Sequence, residues 1–204
     1  MTEPKPGQNH LGLSFMLDTN TVTDDSPAMQ GLLELHQAGW IEVARSDVVE
    51  TEFLKASSDK REELLEDARR FSEYLGPAVW GHSRWGSALW GSEEDKTLLE
   101  RVFAAVYSNR GYGSVSNDLR DAMHVAWAVR YGKTALVTRD KAMLKANERV
   151  SETFNGFSIW TPEKALQVAQ RRKANHDFLA QRAPRLRGLT TLFPKRLGRR
   201  GRIP

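Results

Sequence analysis

The chain reads as α/β, a three-layer α/β/α sandwich with a central parallel sheet of about four or five strands. Three observations predict this. Short apolar runs recur at 13–17, 40–45, 134–138 and 157–160, each too short for a helix. Amphipathic helical patterns separate them, and that alternation gives parallel strands with helices on both faces. Acids follow the first and third runs, Asp18 and Asp140, at the strand ends where such a sheet forms its ligand crevice.

Composition bounds the class. The 204 residues suffice for one domain of ordinary size plus an appendage. At 40% hydrophobic and 27% charged the sequence has a soluble globular composition. There is no cysteine, which excludes disulfides and thiolate metal sites. No run approaches the about 18 apolar residues of a membrane helix, and the polar start TEPKPGQNH is no signal peptide, so a cytoplasmic location with no membrane partner is expected. The net charge of +4 is unevenly spread. Residues 171–204 carry 11 Lys and Arg against one acid, Asp177, while the first 170 residues carry 19 basic and 25 acidic side chains. That pattern predicts a basic arm on an acidic body.

Taken in order, residues 1–12 read as a disordered N-terminus, 13–180 as the folded domain and 181–204 as a basic flexible tail broken by Pro and Gly. The first, central strand ends in Asp18-Thr19-Asn20, where Asn20 either holds the Asp18 carboxylate or caps the next helix, expected over 27–38. After the second strand, Ser46 or Asp47 caps a helix with Val49 and Phe53 as its apolar pair. Glu52 on the adjacent face points to the top of the sheet, with Glu50 as its rival. An amphipathic helix is expected over 59–75 and another over 93–107. Between them Trp-Gly recurs at Trp80, Trp85 and Trp90, a period of neither helix nor strand. The segment is a loop packed on the core or a stacking platform for unpaired bases beside His82 and Arg84. A short helix after Asp140 and a final helix opening at Thr161-Pro162 and ending near 180 complete the chain.

The central unit is 117–140, NDLRDAMHVAWAVRYGKTALVTRD. Asn117 or Asp118 caps a helix that is apolar almost all round from Ala122 to Val129, hence buried on most of its circumference. Gly132 ends it before the third strand. Asp118 and Asp121 share a face of the first turn, and the loop before them brings Arg110 and Tyr112 close enough to meet a substrate. Asp18, Glu52, Asp121 and Asp140 thus come from four different elements, each able to reach the top of the sheet. Carboxylates a few ångströms apart repel, so they share protons or hold a cation. Oxygen-only donors suit Mg²⁺ or Mn²⁺.

FMLDTN, SDVVETEF and NDLRDAMHVAWAVRYGKTALVTRD together resemble the successive acid motifs of the PIN domain, a metal-dependent nuclease domain of bacterial toxins and RNA-processing factors. The resemblance covers about 14–160. It implies Asp18, Glu52, Asp121 and Asp140 as catalytic and metal-binding acids, and Asp118 as an auxiliary or capping acid. It also implies Thr138 as the hydroxyl beside the last acid. The activity implied is hydrolysis of RNA phosphodiester bonds. Arg110 and the tail cations Arg185, Arg187, Lys195, Arg196, Arg199 and Arg200 are candidate RNA contacts. The Trp-Gly loop and the basic tail depart from compact toxin members of that family. An antitoxin protein and a second copy of the chain are further candidate partners. The rival readings are an inactive PIN-like RNA binder, a toxin held by an antitoxin, and a Rossmann-like small-molecule enzyme, the last weakened by the missing Gly-rich loop. His124, one turn beyond Asp121 on the buried helix, is expected to make a structural hydrogen bond.

Overall fold

The computed structural model describes residues 9–79, 82–83, 88–112 and 116–190, with side chains for all of these except 116 and 183–190. Five strands form one all-parallel sheet. They are β1 (Ser14–Leu17), β2 (Glu42–Ser46), β3 (Ser72–Tyr74), β4 (Ala135–Val137) and β5 (Ser158–Trp160), in spatial order β3-β2-β1-β4-β5. The central strand pairs Phe15 with Val43 on one side and with Ala135 on the other. Chain reversal at β1 makes this strand the switch point of the sheet, and its carboxyl end opens the crevice.

Side chains alternate across the sheet, as strand geometry requires. Phe15, Leu17, Val43, Ala135 and Val137 face one apolar cluster, and Met16, Leu136 and Ile159 face another. The first cluster is covered by α2 (Pro27–Gln37) and α9 (Pro162–Thr190), with α3 (Asp47–Phe53) and α4 (Ser58–Arg69) beside them. The second is covered by α5 (Glu93–Val106) and α6 (Ser116–Arg130), with α8 (Asn147–Thr153) packed on α5 and β5. Two short helices, α1 (Thr19–Val22) and α7 (Lys141–Lys145), leave the ends of β1 and β4. Ala122 through Ala128 of α6 are buried all round, as the unbroken apolar run demands.

Several boundaries differ from expectation. Residues 9–12 are tied to the domain through Leu11, which is buried and whose N–H donates to the Trp40 carbonyl, and Gly12 at φ 61° lets the chain turn into β1. A fifth strand, β3, occupies 72–74 where the helix was expected to reach 75. Phe71 and Leu75 keep helical spacing, but pairing with Ala44–Ser46 wins over local periodicity. α6 starts at Ser116, so Asn117 and Asp118 lie inside its first turn and do not cap it. Asn117 instead accepts from Arg120. The segment after Asp140 forms two helices, because the Asn147 side chain leaves its own turn to accept the Ile159 N–H at 2.7 Å. Finally, α9 continues to Thr190, ten residues past its expected end and into the segment read as flexible tail. The good helix formers Ala180, Gln181, Arg182 and Ala183 lead into Pro184, and the helix persists through it.

The Trp-Gly segment closes through a bridge between Pro77 and Leu89, with the Ala78 N–H donating to the Leu89 carbonyl. Trp90 is 98% exposed, so this tryptophan does not pack on the core. Trp80, Arg84 and Trp85 lie outside the described residues, as do Lys195, Arg196, Arg199 and Arg200. Arg185 and Arg187 fall on the backbone of α9, their side chains outside the description.

Candidate functional site

Asp18 ends the central strand and is almost fully buried. Its Oδ1 accepts the Thr19 N–H at 2.8 Å, capping α1. Its Oδ2 accepts from Asn20 Nδ2 at 2.5 Å and from Thr138 Oγ1 at 2.7 Å. Asn20 therefore holds the carboxylate, the first of its two expected roles, and its own Oδ1 accepts the Arg139 N–H. Thr138 joins two acids: it donates to Asp18 and accepts the Asp140 N–H at 2.9 Å. Asp140 caps α7, with Oδ1 accepting from the N–H groups of Ala142 and Met143.

Glu52 is the acid of α3 that turns to the crevice. It accepts from Thr19 Oγ1 and lies 3.7 Å from His124 Nε2. His124 is fully enclosed on α6 and connects three elements. Its Nδ1 meets Ser46 Oγ at 2.9 Å, and its Nε2 lies 3.2 Å from Thr19 Oγ1 and 3.5 Å from Asp18 Oδ1. Ser46 stands at the start of α3, but its hydroxyl makes no capping bond there and serves His124. The structural hydrogen bond expected of His124 is present, together with contacts to two candidate acids.

Asp121 lies one turn earlier on α6, where its Oδ2 accepts from the Tyr107 hydroxyl at 2.6 Å. Asp118 is buried and paired with Arg110, whose guanidinium sits 5.2 Å over the Tyr107 ring. Asp118 thus anchors a half-exposed cation at the rim. Thr19 and Tyr107 were given no role in the sequence, and Ser46 was expected only as a candidate cap. Hydroxyl residues at helix starts and ends carry no signal until the fold brings an acid or imidazole to them.

Electrostatics link these groups. Burial, with the charges of Asp18 and Asp140 adding to it, pushes the Asp121 carboxyl up to about 6, against the Tyr107 bond and His124. Burial also raises Asp18, with Glu52 adding to it and His124 and the Thr138 bond opposing. For Glu52, burial is outweighed by His124, Thr19 and Arg120, and its pKa falls. For His124, burial is outweighed by Glu52, Asp18 and Asp121, and its pKa rises. The imidazole is thus the group through which Asp18, Glu52 and Asp121 are electrostatically linked.

The chain matches no family model, no curated protein and no solved structure. The site itself has to carry the assignment. Among the described residues no helix is long and apolar enough to cross a membrane. Among the described residues no group of three or more His, Asp or Glu side chains converges closely enough to hold a metal ion. Both Asp18 oxygens, one Asp121 oxygen and one Asp140 oxygen are engaged by protein donors. The donor chemistry nevertheless fits a hard divalent cation. All four candidate acids offer oxygen, and the repulsion from Asp18 and Asp140 that adds to burial in raising Asp121 is what a bound cation would relieve.

Proposed function

We propose that the chain is a PIN-like, Mg²⁺- or Mn²⁺-dependent endoribonuclease that hydrolyses RNA phosphodiester bonds. The observation that carries this reading is the electrostatic coupling of acids from separate elements at the carboxyl end of the central strand. Asp18 and Asp140 both push the carboxyl of Asp121 toward its protonated form. A half-buried acid whose protonation responds to acids of two other elements points to a cation or a proton as their function.

Asp18, Glu52, Asp121 and Asp140 are the proposed ligands. A divalent cation held there would supply Lewis-acid activation of water and would offset the negative charge developing on the leaving oxygen. The other residues hold these acids in place: Asn20 and Thr138 hold Asp18, Thr19 and His124 hold Glu52, and Tyr107 holds Asp121. Arg110, fixed by Asp118 and by the Tyr107 ring, is placed to meet a phosphate at the rim.

A second reading, RNA binding without cleavage, is favoured by the engagement of the acid oxygens by protein donors. Incubating the full chain with a mixed RNA pool in Mn²⁺ or in EDTA, and mapping the ends produced, separates the two. Ends that appear with Mn²⁺ alone support the nuclease; a pool left intact in both supports the binder.

A further inference from the structure

The basic arm does not leave the molecule at the acids. α9 begins at the carboxyl end of β5, where Glu163 pairs with Arg139, the residue before Asp140. It then runs back along the sheet over α2, with Leu166 against Gly31. By Lys173 and His176 it has reached Trp40, which precedes β2 at the opposite end: the ammonium lies 4.5 Å over the indole and the imidazole packs on it edge-on. The helix continues for another 14 residues to Thr190, about 21 Å farther from the acids at 1.5 Å per residue. Cations on that extension cannot neutralise the phosphate at the acid site unless the polyanion also follows the helix back to it.

The outer face of α9 offers such a path. Lys164, Gln167, Arg171, Asn175, Phe178 and Arg182 are all exposed. Steps of three or four residues keep all six within about 80° of the helix circumference. Neither acid of this stretch, Glu163 or Asp177, falls on that arc. Phe178 is 51% exposed, with the Arg182 guanidinium 4.1 Å over its ring. Spaced cations, amide side chains between them and an aromatic face are the elements of a single-strand track that binds backbone and stacks bases without reading sequence.

We propose that this stripe is a binding track for single-stranded RNA, leading from the acid end of the sheet to its far end; the proposal rests on the RNA reading of the site. The stripe is about 27 Å long, which matches about 8 nucleotides at a rise of about 3.4 Å. The track therefore contributes only to RNAs long enough to lie on it.

The test is fluorescence anisotropy of the full chain in EDTA, with oligouridylates of about 20 and about 4 nucleotides. Three proteins are compared with the unmodified chain. They are the triple variant Lys164→Gln/Arg171→Gln/Arg182→Gln, the variant Phe178→Ala, and, as control, Arg69→Glu on α4. All five substituted positions are exposed, and circular dichroism checks the fold. For the long oligomer the triple variant should flatten the slope of log K against log salt by about 2. Phe178→Ala should weaken binding about tenfold through lost stacking. The short oligomer should respond to neither. Long-oligomer affinity and slope equal to those of Arg69→Glu would overturn the track. So would unchanged RNA affinity with an altered oligomeric state on size-exclusion chromatography, which would make the stripe a contact between copies of the chain. Because no metal or cleavage enters the assay, stripe-dependent binding in a protein that fails to cut with Mn²⁺ leaves the track standing and removes the nuclease. Metal-dependent cutting with no effect of the stripe does the reverse.

Discussion

The Tyr107 hydroxyl donates to Asp121 Oδ2 at 2.6 Å, tying the residue after α5 to the second turn of α6. The ring is buried, against Phe103 on one side and under the Arg110 guanidinium on another. The hydroxyl is thus a fixed donor to an acid whose negative form burial disfavours. Tyr107→Phe keeps the ring and removes the donor. The Asp121 carboxyl should then rise further above about 6. Stability at neutral pH should fall by about 1–3 kcal/mol, the cost of an unmade bond to a buried charged group. If Asp121 must be ionised to act, the acid limb of the pH–rate profile should shift upward. An unchanged limb and an unchanged melting temperature would show that the bond contributes nothing.

The raised Asp121 also fixes a sign for the pH dependence of stability. Between its ordinary value of 3.8 and about 6 the folded carboxyl holds a proton that the unfolded one has lost. Stability from this group therefore falls as pH rises through that window, and the penalty is complete above it. The shift corresponds to about 2–3 kcal/mol. Asp121→Asn should remove the penalty, so without metal the variant gains most over the unmodified chain at pH about 7 and least at pH about 4. Added Mn²⁺ should stabilise the unmodified chain more than the variant. Thermal melts at the two pH values check both statements; a gain that is flat across pH would show that Asp121 carries no strain.

The sheet was legible in the sequence because its inner strands are short apolar runs bounded by breakers, and α6 because Ala122–Ala128 has no polar face beyond His124. β3 was not, since three residues of which only pairing with β2 makes a strand look like the end of α4. The acids could be chosen by their position after strands and on helix faces, and Asn20 by adjacency to Asp18, whereas Thr138 followed only from the resemblance. Thr19, Ser46 and Tyr107, whose hydroxyls engage these acids or His124, could not be chosen in this way. Ser46 and His124 are 78 residues apart, and Tyr107 and Asp121 are 14 apart across a loop. The tail's composition was plain, but its direction depends on where α9 packs, which Trp40 and His176 decide in three dimensions.

The two glutamates of α3 separate cleanly. Glu52 meets Thr19 and His124 and has a lowered pKa, so its charge is already stabilised by the protein. Glu52→Gln should abolish cleavage and weaken Mn²⁺ binding in calorimetry by at least tenfold, about 1.4 kcal/mol. It should also lower stability at neutral pH, because Thr19 Oγ1 and His124 lose a charged acceptor. Glu50→Gln should leave cleavage within about twofold, a difference of under 0.5 kcal/mol. The opposite ranking would mean that the face of α3 turned to the substrate is not the one that touches His124.

Asp140 is the acid for which a structural role competes most directly with a functional one. Its Oδ1 caps α7 through Ala142 and Met143, and its N–H is held by Thr138. Its charge raises both Asp121 and Tyr107. Asn caps a helix about as well as Asp, whereas Ala loses the cap at a cost of about 1 kcal/mol. Asp140→Asn should therefore keep the melting temperature and lower the Asp121 pKa, while Asp140→Ala should lower the melting temperature. If Asp140 serves only as a cap, Asn retains Mn²⁺-dependent cleavage and only Ala is impaired, in proportion to its lost stability. If it is a ligand, both variants lose cleavage and weaken Mn²⁺ binding to the same degree, whatever their melting temperatures. The expected outcome is the second, and full activity in Asp140→Asn would take this acid out of the site.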